Sequence, residues 1–175
     1  MNASWPLPDT PHIPGRTRRP VTSPAFDAAA AAPLETIDQM WRENTTYLYG
    51  LDLYAAGFFW EAHEVWEPVW IRSTGNSRER LLVQGLIQLS NACLKIAMNR
   101  PAAARRLLQI SQGKLREAAI GGPILMGVEL HSLADAVRDY DAQLDADQTE
   151  DTAILLRHRP ELITTERTIT PSDIA

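Results

Sequence analysis

Apolar residues recur at three- and four-residue spacing along most of this chain of 175 residues. The clearest run steps by four, three, four, three and four residues from Met126 to Leu144. Such spacing places apolar side chains on one face of an α-helix. Turn and capping residues divide the pattern into five helices, predicted from Pro33 to Ala55, Phe58 to Ile71, Asn76 to Met98, Pro101 to Gly121 and Met126 to Leu144. No segment alternates with a period of two residues, so the fold class is all-α, a compact antiparallel bundle of about five helices.

Proline placement divides the chain into three parts. Seven of the twelve prolines fall within residues 1–33, and each removes a backbone donor and disfavours helix in the preceding residue. We therefore expect a Pro-rich irregular arm at 1–33, the helical bundle at 34–145, and an acidic linker and tail at 146–175. The scattered apolar residues of the arm predict that its removal leaves the fold nearly intact. The competing hypothesis is that Trp5 or Ile13 folds over a pocket as a lid.

Composition and charge exclude several classes of protein. The single cysteine, Cys93, cannot form an intrachain disulfide or a site with several thiolate ligands. A net charge of -5 argues against binding to nucleic acid, which requires a dense basic face. No window approaches the roughly 18 to 20 apolar residues that span a bilayer. Because the sequence also lacks a signal-peptide pattern, we expect a cytoplasmic protein with no membrane partner.

The second predicted helix carries the most distinctive string, which runs from Trp60 to Glu67 and reads Trp-Glu-Ala-His-Glu-Val-Trp-Glu. Helical spacing places His63 at the edge of the apolar arc and Glu67 on the same side, four residues on. Trp60 is expected to flank the pair, so that an aromatic surface lies beside the imidazole and the carboxylate. Pro68 predicts either a kink or an early end of this helix.

The third predicted helix is apolar apart from a narrow strip that contains three neutral amides. The strip is expected to face the second helix and consists of Gln84, Gln88, Asn91 and Lys95. Amides in an apolar helix indicate an internal hydrogen-bond network or a ligand site. The alternative is a solvent-facing strip that happens to be rich in amides.

Three interpretations of His63 and its neighbours compete. A metalloprotease helix requires a second histidine where Glu67 stands. His63 and Glu67 could still supply two ligands, but no third is visible, so no metal or other cofactor is expected. In an acid–base site, His63, Glu64 and Glu67 are the candidate catalytic residues, with a carboxylate orienting the imidazole. In a structural role, His63 hydrogen-bonds Glu67 and a neighbouring helix to satisfy a polar gap in the core.

The segment from Leu51 to Leu115 resembles a bacterial family known as domain of unknown function 309. The resemblance rests on Gly57, on the strings Trp60–Glu64 and Gln84–Ile87, and on Trp66, Glu67, Trp70 and Lys95. It covers a little over a third of the chain and implies an all-helical fold without an assigned activity. Some relatives carry a histidine in the Pro-Gly-Arg-Thr segment, and here that segment, Pro14–Thr17, continues with Arg18, Arg19 and Pro20.

The sequence therefore favours a protein that binds a small molecule in a polar pocket between its second and third helices, with acid–base chemistry at His63 as an extension. The ligand-binding candidates are Trp60, His63, Glu67, Trp70, Gln84, Gln88 and Lys95. The alternative is a homo-oligomeric or partner-docking module in which the His63–Glu67 pair is structural. Trp60 and Trp70 exposed as one patch would favour association, whereas a concavity with His63 at its base would favour a ligand.

Overall fold

The structure, a computed structural model, describes residues 5–19, 36–146, 151–164 and 167–168. Within these ranges, a 3-10 helix (Asp38–Met40) precedes six α-helices: α1 (Thr45–Ala55), α2 (Phe59–Arg72), α3 (Arg78–Ala97), α4 (Pro101–Ala119), α5 (Leu130–Ala146) and α6 (Thr152–Arg157). Four two-residue strands, β1 (Ile124–Leu125), β2 (Val128–Glu129), β3 (Ile163–Thr164) and β4 (Arg167–Thr168), form one antiparallel sheet in chain order. The predicted all-α bundle is confirmed.

Helix α1 begins later than the apolar spacing predicts. The Asn44 side chain accepts a hydrogen bond from the Tyr47 backbone N–H at 3.0 Å and so caps the helix at Thr45. The residues before this cap form a turn and the short 3-10 helix. The prediction of one helix from Pro33 to Ala55 is therefore wrong over its first part, and residues 33–35 lie outside the described ranges. Spacing alone missed the cap because Trp41 packs in the core from the turn.

Helix α2 runs through Pro68 without ending. Of the two predicted outcomes at this proline, the early end is wrong, since four further residues remain helical up to Arg72. Pro68 has no backbone N–H to donate to the Glu64 carbonyl, so the ladder of the helix lacks one bond at this point. The end of α2 is fixed by Ser73, whose hydroxyl donates to the Val69 carbonyl at 2.7 Å.

Helix α3 lies at the centre of the fold and contacts α2, α4 and α6. Its N-cap is Ser77, which accepts from the Arg80 backbone N–H at 3.1 Å, rather than the predicted Asn76. At Gly85 the helix comes close to α4, because an added Cβ there would lie 3.0 Å from the Leu115 side chain. The buried Ser111 hydroxyl donates to the Gly85 carbonyl at 2.7 Å, which joins the two helices.

A short hairpin separates α4 from α5. Met126 and Gly127 form its turn with φ angles of 46° and 80°, a left-handed conformation that glycine adopts without strain. The Tyr47 hydroxyl donates to the Met126 carbonyl at 3.1 Å and so fastens the turn to α1. The predicted start of α5 at Met126 is therefore wrong, and the helix begins at Leu130. The turn was missed because strands of two residues are too short to show alternation.

Both flanking segments pack against the bundle. Trp5 meets Tyr49 edge to face with ring centroids 5.3 Å apart, and the Tyr49 hydroxyl donates to the Pro6 carbonyl at 2.9 Å. On the other side, the Tyr54 hydroxyl donates to the Pro160 carbonyl at 2.8 Å. The division at residues 33 and 145 stays a prediction. No helix in the described ranges is both long and apolar enough to cross a membrane.

Candidate functional site

His63 lies half-buried on α2, at the edge of the face that packs against the core. Its ring Nδ1 is 2.9 Å from the side-chain oxygen of Asn91 on α3. The hydrogen bond joins the two helices and identifies Asn91 as the member of the predicted polar strip that contacts the imidazole. The structural interpretation of the sequence predicted hydrogen bonds from His63 to Glu67 and to a neighbouring helix, and Asn91 is the observed partner on the neighbouring helix.

The contact with Asn91 favours one tautomer of the imidazole. An amide oxygen only accepts hydrogen bonds, so this contact forms with the tautomer that has its N–H at Nδ1. A neutral imidazole has one N–H, which leaves Nε2 with its lone pair available. Histidines that bind metals are commonly oriented in this way, with one ring nitrogen held by a protein oxygen.

Two carboxylates join His63 on the outer side of α2. His63, Glu64 and Glu67 each offer one ligand atom, and these atoms all lie within 4.8 Å of one another. Glu64 is half-buried and Glu67 is exposed, so the cluster opens to solvent. An imidazole with two carboxylates is a ligand set for a divalent metal ion. The sequence showed two of these groups as a possible ligand pair, and Glu64 is the third.

The two tryptophans predicted to wall this site are each covered by a different element. The Trp60 ring meets the His12 ring edge to face at 4.9 Å, and the Arg19 guanidinium lies 5.2 Å from its centroid. The Arg80 guanidinium lies 4.3 Å from the Trp70 ring and donates to the Trp70 carbonyl at 2.7 Å. Both tryptophans are partly buried and pack against the core, Trp60 three residues before His63 and Trp70 seven residues after it.

The rest of the predicted polar strip follows α3. Gln84, Gln88 and Lys95 are all half-buried, whereas the solvent face of α4 contains exposed residues such as Arg106 and Arg116. The half-burial of these three side chains agrees with a strip that lies between the core and a solvent-accessible seam. Of the strip residues, Asn91 is the one with a direct hydrogen bond to His63.

A comparison with known families identifies the helical segment that contains the His63 cluster. Residues 47–107 match the DUF309 family model. The model is described as a domain of unknown function, and the match confirms the resemblance inferred from the Trp60–Glu64 and Gln84–Ile87 strings. The DUF309 segment runs from α1 into the first part of α4 and contains His63, Glu64, Glu67 and Asn91. No curated protein and no solved structure matches the chain.

A second polar cluster lies where the arm meets the DUF309 segment, and sequence analysis missed it. Glu61 is fully buried, and its Oε1 accepts a hydrogen bond from the His12 backbone N–H at 2.8 Å. Among the described residues, neither Glu61 Oε2 nor Nδ1 of the buried His12 has a hydrogen-bond partner. Burial raises the pKa of Glu61, although the His12 N–H and the nearby imidazole oppose the shift.

A sequence signal for Glu61 was present. Glu61, Val65 and Val69 stand four residues apart, so they form one row along α2, and both valines are buried. A carboxylate at the end of a buried apolar row needs a polar partner from another element. His12 could not be assigned as that partner, because 49 residues separate it from Glu61.

Proposed function

We propose that this protein binds a small ligand at the polar seam between α2 and α3, and that a divalent transition-metal ion is this ligand or its first component. His63, Glu64 and Glu67 would hold the ion, and their mutual proximity within 4.8 Å is the observation that carries the proposal. The sequence-based expectation of no metal rested on the missing third ligand. Glu64 supplies that group, and metal titration tests the two expectations against each other.

The chemistry of the ligands favours a transition metal over Mg²⁺ or Ca²⁺. Magnesium and calcium prefer sites made entirely of oxygen atoms, whereas imidazole nitrogen suits Zn²⁺ and its neighbours in the first transition series. Asn91 supports the assignment because it leaves His63 Nε2 with a lone pair. We therefore expect Zn²⁺ to bind more tightly than Mg²⁺.

A metal held by three protein groups keeps at least one position open to solvent or substrate. The half-buried Gln84, Gln88 and Lys95 on α3 are the candidates for contacting the remainder of a small molecule bound there. Trp60 and Trp70 form the edges of the seam on the α2 side. Acid–base chemistry at His63 or at a metal-bound water is an extension of the binding proposal.

Calorimetric titration of chelator-treated protein with Zn²⁺ tests the proposal. We expect one ion per chain, with affinity lowered at least about tenfold by His63→Ala, Glu64→Gln or Glu67→Gln. Asn91→Ala should lower it by about 10- to 100-fold, as is typical when the residue that orients a histidine ligand is lost. His131→Ala is the matched control, because it removes an exposed imidazole from α5, and it should leave the affinity unchanged.

Two results would contradict metal binding. One is the absence of saturable Zn²⁺ binding by folded protein, with folding checked by circular dichroism. The other is an affinity that is the same in wild-type protein and in the three ligand variants, which would indicate binding elsewhere on the chain. Tighter binding of Mg²⁺ than of Zn²⁺ would contradict the assigned role of the imidazole.

The alternative, a partner-docking or homo-oligomeric module, stays a prediction, as does a cytoplasmic location. The feature expected of a docking module was one exposed aromatic patch. Trp60 is instead covered by the arm, and Trp70 is covered by Arg80. If His63 is purely structural, His63→Ala should lower the free energy of unfolding by about 1 to 3 kcal/mol and should leave metal binding unaffected. Light scattering over a range of concentrations measures the oligomeric state directly.

A further inference from the structure

A largely apolar pocket of about 320 Å³ lies away from the His63 cluster, at the corner where the two ends of the described chain meet. Pro11, His12 and Ile13 of the arm form one wall, and Leu156 and Arg159 of the C-terminal segment form another. Residues 55–57, Phe59, Leu94 and Ala97 complete the lining. A volume of this size is at the lower end of the range for small-molecule sites, which begins at about 300 Å³.

Arg159 introduces a positive charge at the edge of these apolar walls. Its Nη1 donates to the Leu156 carbonyl at 2.9 Å and its Nη2 to the Ala55 carbonyl at 2.6 Å. These bonds use two of the five guanidinium N–H donors and fix the group in place. In the described part of the chain, no carboxylate lies within 4.0 Å of the guanidinium. The nearest acidic neighbour in the chain, Glu161, is exposed and lines an adjoining cleft with Arg157 and Arg159.

His12 lines the pocket from the arm. Its ring is held edge to face against Trp60 at 4.9 Å, and its backbone N–H is bound to Glu61. The ring Nδ1 is buried and lacks a hydrogen-bond partner among the residues that the structure describes. This nitrogen has almost no accessible surface, so recognition of a polar group in the pocket depends on Arg159. The carboxylate of Glu61 faces His12 from α2 and is already bound through Oε1.

We propose that this pocket binds a small apolar monocarboxylate. The hydrocarbon part would occupy the space between Ile13, Leu94 and Leu156, and the carboxylate would accept hydrogen bonds from the unused N–H donors of Arg159. Guanidinium groups bind carboxylates through two parallel hydrogen bonds, which is the geometry that an oriented arginine offers. The proposal is independent of the metal site, because it shares no residue with the His63 cluster.

The pocket volume restricts the ligand to a short or medium-length acid, and octanoate is the probe of choice. Titration of the full chain with octanoate should shift the methyl resonances of Ile13, Leu94 and Leu156 in a saturable manner. The methyl groups of Leu133 and Val137, buried on α5, are internal controls and should not shift. 1-Octanol carries the same hydrocarbon without the charge, and we expect it to bind at least about tenfold more weakly.

Two variants separate the roles of charge and shape. Arg159→Gln should weaken octanoate binding at least about tenfold and leave 1-octanol binding nearly unchanged. Ala97→Leu adds bulk to the pocket lining and should weaken both probes. Arg157→Gln is the matched control, since Arg157 is exposed on α6 and does not line this pocket, and it should leave octanoate binding unchanged.

Arg159 also fastens the C-terminal segment, so its variant can fail to fold. In that event Ala97→Leu decides the outcome, because it fills the space that the hydrocarbon would occupy. The proposal is overturned if octanoate produces no saturable shift of the pocket methyl groups. It is equally overturned if 1-octanol binds as tightly as octanoate, because that result would remove the carboxylate from the recognition.

Discussion

The backbone N–H of His12 donates to Oε1 of Glu61 at 2.8 Å, so that a buried carboxylate of α2 is held by the N-terminal arm. The two residues stand 49 positions apart. The other carboxylate oxygen, Oε2, lacks a hydrogen-bond partner in the described part of the chain. An ionised carboxylate is costly in such an environment, and this explains why burial raises the pKa of Glu61 above its ordinary value of 4.5.

The raised pKa predicts that Glu61→Gln stabilises the protein at neutral pH. The folded state holds the proton of Glu61 more tightly than the unfolded state, so ionisation lowers stability as pH rises from 4.5 through the folded pKa. The substituted amide would keep an acceptor for the His12 N–H without the charge. Urea unfolding should show the variant more stable than wild type at pH 7, with the difference disappearing as the pH falls below 4.5.

Glu117→Gln is the control for that experiment, because Glu117 is exposed on α4. It should change the free energy of unfolding by less than about 0.5 kcal/mol at either pH. A Glu61→Gln variant that is less stable than wild type at pH 7 would show that the charge itself stabilises the contact with the arm.

Removal of residues 1–19 tests the predicted dispensability of the arm. The observed contacts favour the opposite outcome, because the arm covers Glu61, packs Trp5 on Tyr49 and lines the apolar pocket with Ile13. We expect the melting temperature to fall by about 5 °C or more. Trp5→Ala in the full chain should reproduce part of the loss. An unchanged melting temperature after truncation would restore the original expectation.

A pair of helical glycines gives opposite predictions for the same substitution. At Gly50 on α1, an added Cβ would overlap the Trp66 indole, whose N–H donates to the Tyr47 carbonyl at 3.1 Å. Gly50→Ala should therefore lower the free energy of unfolding by at least about 2 kcal/mol. Gly113 on α4 is exposed with nothing within 4 Å, so Gly113→Ala should raise it by about 0.5 to 1 kcal/mol. Denaturant titration of both variants measures the difference, and equal effects would contradict the packing at Gly50.

Cys93 is predicted to be unreactive in the folded protein. Burial raises the pKa of its thiol to about 12, and its sulfur lies 3.8 Å from the Tyr54 hydroxyl oxygen. Because the thiolate is the nucleophile, labelling with a thiol reagent at pH 8 should be slow in native protein and rapid in denaturant. Rapid labelling under native conditions would show that the region around Cys93 opens frequently.

The sequence predicted those parts of the fold that depend on neighbours along the chain. Pro101 marks the first residue of α4, and the glycines after α4 mark its end, because both signals act within one helical turn. The start of α1 was missed because an apolar residue in a turn, Trp41, fits the helical spacing as well as one in a helix. The start of α5 was missed because Met126 has apolar chemistry but lies in a hairpin turn.

The sequence likewise predicted only part of the candidate site. The position of His63 at the edge of the α2 core face and the amide strip on α3 follow from helical geometry. The partner of His63 within that strip, Asn91, depends on the offset of one helix against the other, which spacing does not define. The contact between Glu61 and His12, like the pocket that includes Arg159, joins distant parts of the chain. No local pattern encodes such contacts.

The corner closed by the C-terminal segment has a consequence for how the protein is made. The bonds from Tyr54 to Pro160 and from Arg159 to Ala55 span 106 and 104 residues, so they close long loops after neighbouring helices have paired. During synthesis, α1, α2 and α3 leave the ribosome well before Pro160 does. The nascent chain therefore presents Tyr54, Phe59 and Leu94 to its surroundings until Arg159 and Pro160 have left the ribosome, and chaperones would meet this surface first.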